Sequence, residues 1–159
     1  NIDNKSDYDF VTCFPDINEY KEANYFKLLL PIDSIQKRIN IKIKELNNNY
    51  IACHIRRTDS INHLSFIDDF KTDEEYMDFI DQYPQELKIY IATDCRDTQQ
   101  KFIDKYGDRL IYKKIEDNNN FRQTSLQDAV VDMYVCAGAT YFMKSGGSFS
   151  ETITELRNN

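Results

Sequence analysis

Hydrophobic positions in the second two-thirds of the chain fall into short apolar runs separated by longer stretches that are apolar on one face only. The runs "YIACHI" (50–55), "LKIYIAT" (87–93), "RLIYK" (109–113) and "TYFMK" (140–144) read as strands. Between them lie stretches at helical spacing. "TDEEYMDFIDQY" (72–83) places Tyr76, Phe79, Ile80 and Tyr83 along one face and opens with Thr72 and Glu75 in a capping box. "DTQQKFIDKYG" (97–107) has Asp97 as its expected cap and Gly107 as its stop. "SLQDAVVDMYVCAGA" (125–139), apolar at Leu126, Val130, Met133 and Ala137, predicts a well-buried helix. After "SGGS", the segment "FSETITELR" predicts a last helix in which Ser148 and Glu151 form a second capping box. Upstream, Ile35, Ile39, Ile43 and Leu46 recur at helical spacing, with Asp33 as expected N-cap and asparagines 47–49 as terminator. "YDFVTCF" (8–14) reads as a short strand and "EANYFKLLL" (22–30) as a short helix.

Strands alternating with helices of this length imply βαβ units and a parallel sheet, and runs apolar on both faces fit helices covering both sides. The expected fold is therefore α/β: a Rossmann-like domain over 25–159, preceded by a lead-in segment over 1–24.

Composition narrows the function. The chain has 159 residues, 41% of them hydrophobic, and a net charge of −7, which excludes the broad basic surface of a general nucleic-acid binder. A local cluster of positive charge remains compatible with a phosphorylated ligand. No apolar stretch reaches the roughly 20 residues of a membrane span. The four cysteines (Cys13, Cys53, Cys95 and Cys136) lack metal-site spacing and read as free, mostly buried thiols. With a polar, acidic start in place of a signal peptide, they point to a reducing compartment such as the cytoplasm. The first residue is not Met, which leads us to expect a trimmed chain or a domain cut from a longer protein.

Ligands of open parallel sheets bind at the carboxyl ends of the strands, and residues with useful chemistry gather there. His54, Arg56, Arg57, Thr58 and Asp59 follow the first strand, and Thr93 and Asp94 the second. The third leads into the loop from Lys113 to Thr124, and the fourth into Ser145, Gly146, Gly147 and Ser148. Arginine offers a planar fork suited to phosphate oxygens; equally, the two arginines suit ion pairs with Asp59 and with Asp68 or Asp69. "SGGS" before a helix lets backbone approach an anion, or is simply a flexible turn. His54 fits a core histidine as well as a ligand contact. Asp94 fits a cap, and Asp132 a solvated helix position. His63 stands alone. No P-loop, dinucleotide fingerprint or serine-hydrolase motif is present.

Together, "HIRRTD", "EEYM", "IYIATD" and "SLQDAVVDMYVCAGATYFMKSGGSFSETI" resemble the C-terminal half of the α-1,6-fucosyltransferases, over about Tyr25 to Leu156. The resemblance implies one half of a GT-B fold and inverting transfer of fucose from GDP-fucose to a glycan acceptor, without a metal or other cofactor. Arg56 would then hold the diphosphate and stabilise the departing GDP, with Arg57 beside it. His54 and Asp132 would meet the guanosine end, Asp94 would line the donor site, and Tyr76 would lie near the sugar nucleotide. Ser148 would bond a phosphate from the turn formed with Ser145, Gly146 and Gly147. The sequence departs from the family in having Cys95 where a second acidic residue usually follows "ATD". It also lacks a glutamate shortly after the arginine motif, which leaves Asp68 and Asp69 as candidate bases. The acceptor-binding N-terminal half does not fit in this length. A noncatalytic nucleotide-sugar-binding module and a plain α/β interaction domain are the alternatives.

Overall fold

The computed structural model describes residues 30–57, 70–115 and 124–158. The expected strand at 8–14, all but the last residue of the helix expected at 22–30, Cys13, Thr58, Asp59, His63, Asp68 and Asp69 lie outside the described residues.

The elements run α1 (Asp33–Glu45), β1 (Tyr50–Ile55), α2 (Asp73–Asp81), β2 (Lys88–Thr93), α3 (Arg96–Tyr106), β3 (Leu110–Tyr112), α4 (Leu126–Ala137), β4 (Tyr141–Lys144) and α5 (Ser148–Arg157). A single 3₁₀ turn, Gly107–Arg109, links α3 to β3. The four strands form one parallel sheet in the order β3-β2-β1-β4. This is the expected Rossmann-like α/β architecture. The chain steps outward from β1 through β2 to β3, then returns to the other side of β1 as β4. That reversal makes a topological switch point beside the carboxyl end of β1, where such folds bind ligands.

Alternate residues of each strand point to opposite faces, and each face has its own core. Tyr50, Ala52, Tyr90 and Ala92 pack with Ile35, Ile39 and Leu46 of the α1 region, Val131 and Val135 of α4, and Ile153 of α5. Ile51, Cys53, Ile55, Ile89 and Ile91 pack on the other side with Tyr76 and Ile80 of α2 and Phe102 and Tyr106 of α3. Every residue of β1 is buried. His54 continues the first set, so its ring emerges on the α4/α5 side.

The helix starts separate what side chains dictate from what backbone dictates. Thr72 accepts the Glu75 amide at 3.2 Å while Glu75 accepts the Thr72 amide at 2.6 Å, completing the expected capping box. Thr72→Ala is expected to cost about 1 kcal/mol, read as a lowered urea midpoint with unchanged slope. Three other caps differ from expectation. The N-cap of α1 is Ile32, with Asp33 the first helical residue. That of α3 is Cys95, with no side-chain bond, and Asp97 lies inside the first turn. That of α5 is Gly147 at φ 104°, and Glu151 is drawn instead to an ion pair with Lys144. An extended turn with φ this positive suits only glycine, so the chain reaches helical geometry one residue before Ser148 can cap it.

In α4 the buried positions are Val131, Val135 and Cys136. The expected stripe through Leu126, Val130, Met133 and Ala137 lies to one side of that face, and Leu126 is 82% exposed. Two devices fix this helix. Arg157 of α5 donates to the carbonyls of Ala137 and Ala139 at its carboxyl end. Asp128 near its amino end holds Arg38 of α1 and Lys113 beyond β3. Asn47 and Asn48, both left-handed at φ 58° and 59°, end the α1 region as asparagine readily does. Among the described residues no helix is long and apolar enough to cross a membrane.

Candidate active site

A cleft of about 450 Å³ opens over the carboxyl ends of β1 and β2. His54 and Arg56 contribute from β1 and its end, Ala92, Thr93 and Asp94 from β2, and Thr124, Leu126, Ala129 and Asp132 from α4 and its approach. Phe149 of α5 completes the lining. The spacing 126, 129, 132 is one helical stripe, so a single side of α4 forms the wall.

His54 is held from behind. Its Nδ1 meets Ser150 Oγ at 2.6 Å and Ser145 Oγ at 3.2 Å, and the ring leans on Phe149 at 4.9 Å. The Ser145 amide donates to the His54 carbonyl at 2.9 Å, which stitches the turn after β4 to β1. Burial pushes the imidazole down to about 4, against the Asp94 charge, which favours protonation; Arg56 adds to the depression. His54 is therefore neutral at pH 7.

On the α4 wall, Asp132 accepts the Tyr90 hydroxyl at 2.5 Å. Burial raises its carboxyl to about 6, against the lowering effect of the Tyr90 bond. Asp94 projects into the cleft from the end of β2, and one of its oxygens accepts the Arg57 amide at 2.7 Å. The cleft thus combines a half-buried arginine, two carboxylates and a neutral imidazole with an apolar lining of Ala92, Leu126, Ala129 and Phe149. That set suits an elongated ligand carrying both anionic and donor groups.

A profile of the family described as GDP-fucose protein O-fucosyltransferase matches residues 5–159. The chain belongs to that family. The GDP-fucose protein O-fucosyltransferase 2 of Plasmodium berghei (strain Anka) is 28% identical over 145 residues, covering 88% of this chain. The chain spans only 30% of that curated relative's length. A crystal structure of NodZ α-1,6-fucosyltransferase soaked with GDP-fucose shares the fold at a TM-score of 0.54 and 17% identity. It matches 79% of this chain, which covers 42% of the NodZ chain. The sequence resemblance to fucosyltransferases is thereby supported at the level of that broader class.

Within this fucosyltransferase-family domain, the expected site residues divide into groups. His54, Arg56, Asp94 and Asp132 come together in the cleft. Ser145 is 6% exposed and sits behind the cleft as a partner of His54. Gly146 and Gly147 form the half-buried turn into α5, and Ser148 is exposed at its first position. A Cβ added at Gly147 would meet no atom within 4 Å, so its φ, rather than crowding, is what demands glycine.

Two expected contacts find other occupations. Tyr76 is fully buried in the α2/β1 core, its hydroxyl 3.4 Å from the His54 carbonyl, and it does not line the cleft. The helical face that carries Tyr76 is the one α2 must bury. Arg57 is 6% exposed and is absent from the cleft lining. Its guanidinium donates to Asp73 at 2.7 and 3.3 Å and to the Lys71 carbonyl at 2.7 Å. Among the described residues its ion-pair partner is Asp73; the pairings expected with Asp59, Asp68 or Asp69 fall outside the described residues. One arginine of the pair faces the cleft and its neighbour faces the core, as alternation at a strand end requires.

Sequence reasoning missed Tyr90, Ser150, Leu126, Ala129 and Phe149. Tyr90 was detectable, because period-2 counting on β2 puts it with Ala92 on the face of His54. Ser150 was not, since its tie to His54 spans 96 positions.

The shifts of His54 and Asp132 have opposite consequences for folding. The His54 value lies below its ordinary 6.5, so the unfolded chain binds its proton more readily between pH 4 and 6.5, and stability rises with pH there. The Asp132 value lies above its ordinary 3.8, so the folded chain holds that proton more tightly between pH 3.8 and 6, and stability falls with pH. The two slopes offset each other in their overlap. Asp132→Asn is expected to expose the His54 slope, making the urea midpoint climb more steeply from pH 4 to 6 than in the parent. An unchanged profile would contradict the placement of Asp132.

Proposed function

We propose that the cleft binds the nucleotide of GDP-fucose and that this domain is the donor half of a GT-B fucosyltransferase. The observation that carries the reading is the convergence of His54, Arg56, Asp94 and Asp132 on one cleft, in a chain whose family description names GDP-fucose.

Arg56 bonds the diphosphate and stabilises the charge that grows on GDP as the fucose–phosphate bond breaks, which is electrostatic stabilisation of the departing group. A guanidinium in that place supplies the positive charge without a metal. The amino end of α5, opened by Gly146 and Gly147, adds amide donors and the positive end of its dipole, with the Ser148 hydroxyl beside them. Asp132 accepts from the amino and ring N–H groups of guanine, and neutral His54 bonds the guanosine end. Asp94 borders the sugar side. In an inverting displacement a base takes the proton of the acceptor hydroxyl; Asp68 and Asp69 are the candidates in this chain, in the segment following the arginines.

The acceptor reading rests on the names of the family and of its relative. Both the family and the Plasmodium relative are described as protein O-fucosyltransferases, which supports a hydroxyl of a protein as acceptor. A glycan acceptor with an α-1,6 linkage is the second reading, favoured by the "HIRRTD" and "SLQDAVVDMYVCAGA" strings. The share of its relatives covered by this chain supports acceptor binding by a further domain.

Calorimetric titration with GDP, GDP-fucose and UDP tests the donor assignment. The expected result is micromolar binding of the two guanosine ligands and at least tenfold weaker binding of UDP, whose uracil offers a single ring N–H in place of guanine's adjacent ring and amino donors. Equal affinity for UDP would remove the guanine assignment.

A further inference from the structure

Arg57 does not reach the cleft, yet it is among the most heavily bonded side chains of the described residues. Its guanidinium lies over the Phe70 ring, 4.8 Å from the centre, and over that of Tyr76, at 5.7 Å. Nε and Nη2 both donate to one oxygen of Asp73, the first residue of α2. That oxygen also accepts the Thr98 hydroxyl at 3.3 Å, and the other takes Lys101 Nζ at 2.7 Å, both from α3. Asp73 is 8% exposed, so this is a buried junction of α2, α3 and the end of β1. Burial pushes its carboxyl up, but the hydrogen bonds and charges of Lys101 and Arg57 outweigh it and hold Asp73 below the usual carboxylate range.

The junction continues into the cleft through backbone. The Arg57 amide donates to Asp94 Oδ1 at 2.7 Å, and Asp94 is a cleft residue. The residue directly before Arg57 is Arg56, also in the cleft. Anchoring the Arg57 side chain therefore fixes the peptide that follows Arg56 and the donor that orients Asp94. A buried arginine that loses its carboxylate and keeps only the Lys71 carbonyl is left with an uncompensated charge, which is strongly unfavourable and drives it toward water.

We propose that Asp73 is a positioning residue of the donor cleft: it clamps the Arg57 guanidinium and, through the Arg57 amide, sets the Asp94 carboxylate and the backbone of Arg56. The nucleotide part of this inference rests on the proposed function; the ordering of the cleft rim does not.

The test joins two readouts on the protein, its Asp73→Asn variant and Arg57→Lys, which keeps the charge but loses the fork. Amide hydrogen exchange reports the Arg57 N–H. Calorimetry reports GDP affinity, with Asp94→Asn added singly and in combination. In Asp73→Asn the Arg57 amide is expected to exchange at least tenfold faster and GDP to bind about tenfold more weakly. Adding Asp94→Asn should weaken binding less than twofold further, because both changes act through one link. Lys101→Met, which leaves the Asp73–Arg57 contact intact, should bind GDP as the parent does. Should Asp73→Asn fail to fold, Arg57→Lys carries the same two expectations. An Arg57 amide that stays protected, or effects of Asp73→Asn and Asp94→Asn that simply add, would overturn the proposal. If the parent itself fails to bind millimolar GDP, the donor reading falls, and the exchange of the Arg57 amide alone decides whether Asp73 orders the cleft rim.

Discussion

Arg56→Ala is expected to weaken GDP binding on the order of 100-fold while leaving the thermal midpoint within a degree or two of the parent. The size follows from what is lost. A guanidinium on a diphosphate makes paired, charge-assisted hydrogen bonds, each about 1.5–3 kcal/mol when removed, and about 2.7 kcal/mol corresponds to 100-fold. The small effect on folding follows from placement. Arg56 is half-buried at the cleft, whereas the buried arginine of the pair, Arg57, carries the ion pair with Asp73. Lysine at position 56 should recover only part of the affinity, because it offers a point charge in place of a fork. Weaker binding accompanied by a large drop in midpoint would show that Arg56 supports the fold instead.

The second large effect is structural. Tyr76→Ala is expected to destabilise the protein by about 3–5 kcal/mol, the usual range for emptying a fully buried aromatic site. Tyr76 is 0% exposed and packs with Ile51, Cys53, Ile55 and Phe102. It also faces the Arg57 guanidinium. In a domain whose total stability is about 5–15 kcal/mol, such a loss leaves little folded protein at 37 °C. Tyr76→Phe should cost about 1 kcal/mol, since it keeps the ring and removes a hydroxyl that bonds the His54 carbonyl at 3.4 Å and the Ser145 side chain, and it should bind GDP like the parent. The pair separates packing from ligand contact. If Tyr76→Phe lost donor affinity at full stability, the hydroxyl would have to reach the ligand, contrary to its place in the core.

What the sequence made legible follows the reach of local rules. β1 spans Tyr50–Ile55 as its apolar run predicts, and the other three strands agree to within a residue at each end. The Thr72–Glu75 box was readable because both partners lie within one turn. The caps of α3 and α5 were not, because no side chain makes them; Cys95 and Gly147 are placed by strand exit and backbone angle. Four cleft residues, His54, Arg56, Asp94 and Asp132, were identifiable from strand ends and motif. Their supports were not. Tyr90 reaches Asp132 across 42 positions, Ser150 reaches His54 across 96, and Asp73 reaches Arg57 from the next helix. Such pairings depend on how helices settle on the sheet. The paired arginines show the limit best: their chemistry is identical, and only the direction of each side chain places one at the cleft and one in the core.

The central claim is that this cleft holds the nucleotide, and a crystal structure of the protein soaked with GDP tests it most directly. The account predicts density over the carboxyl ends of β1 and β2, with the diphosphate between Arg56 and the amino end of α5 and the guanine edge against Asp132. GDP bound elsewhere on the domain, or a cleft left empty by a ligand that calorimetry shows to bind, would contradict it.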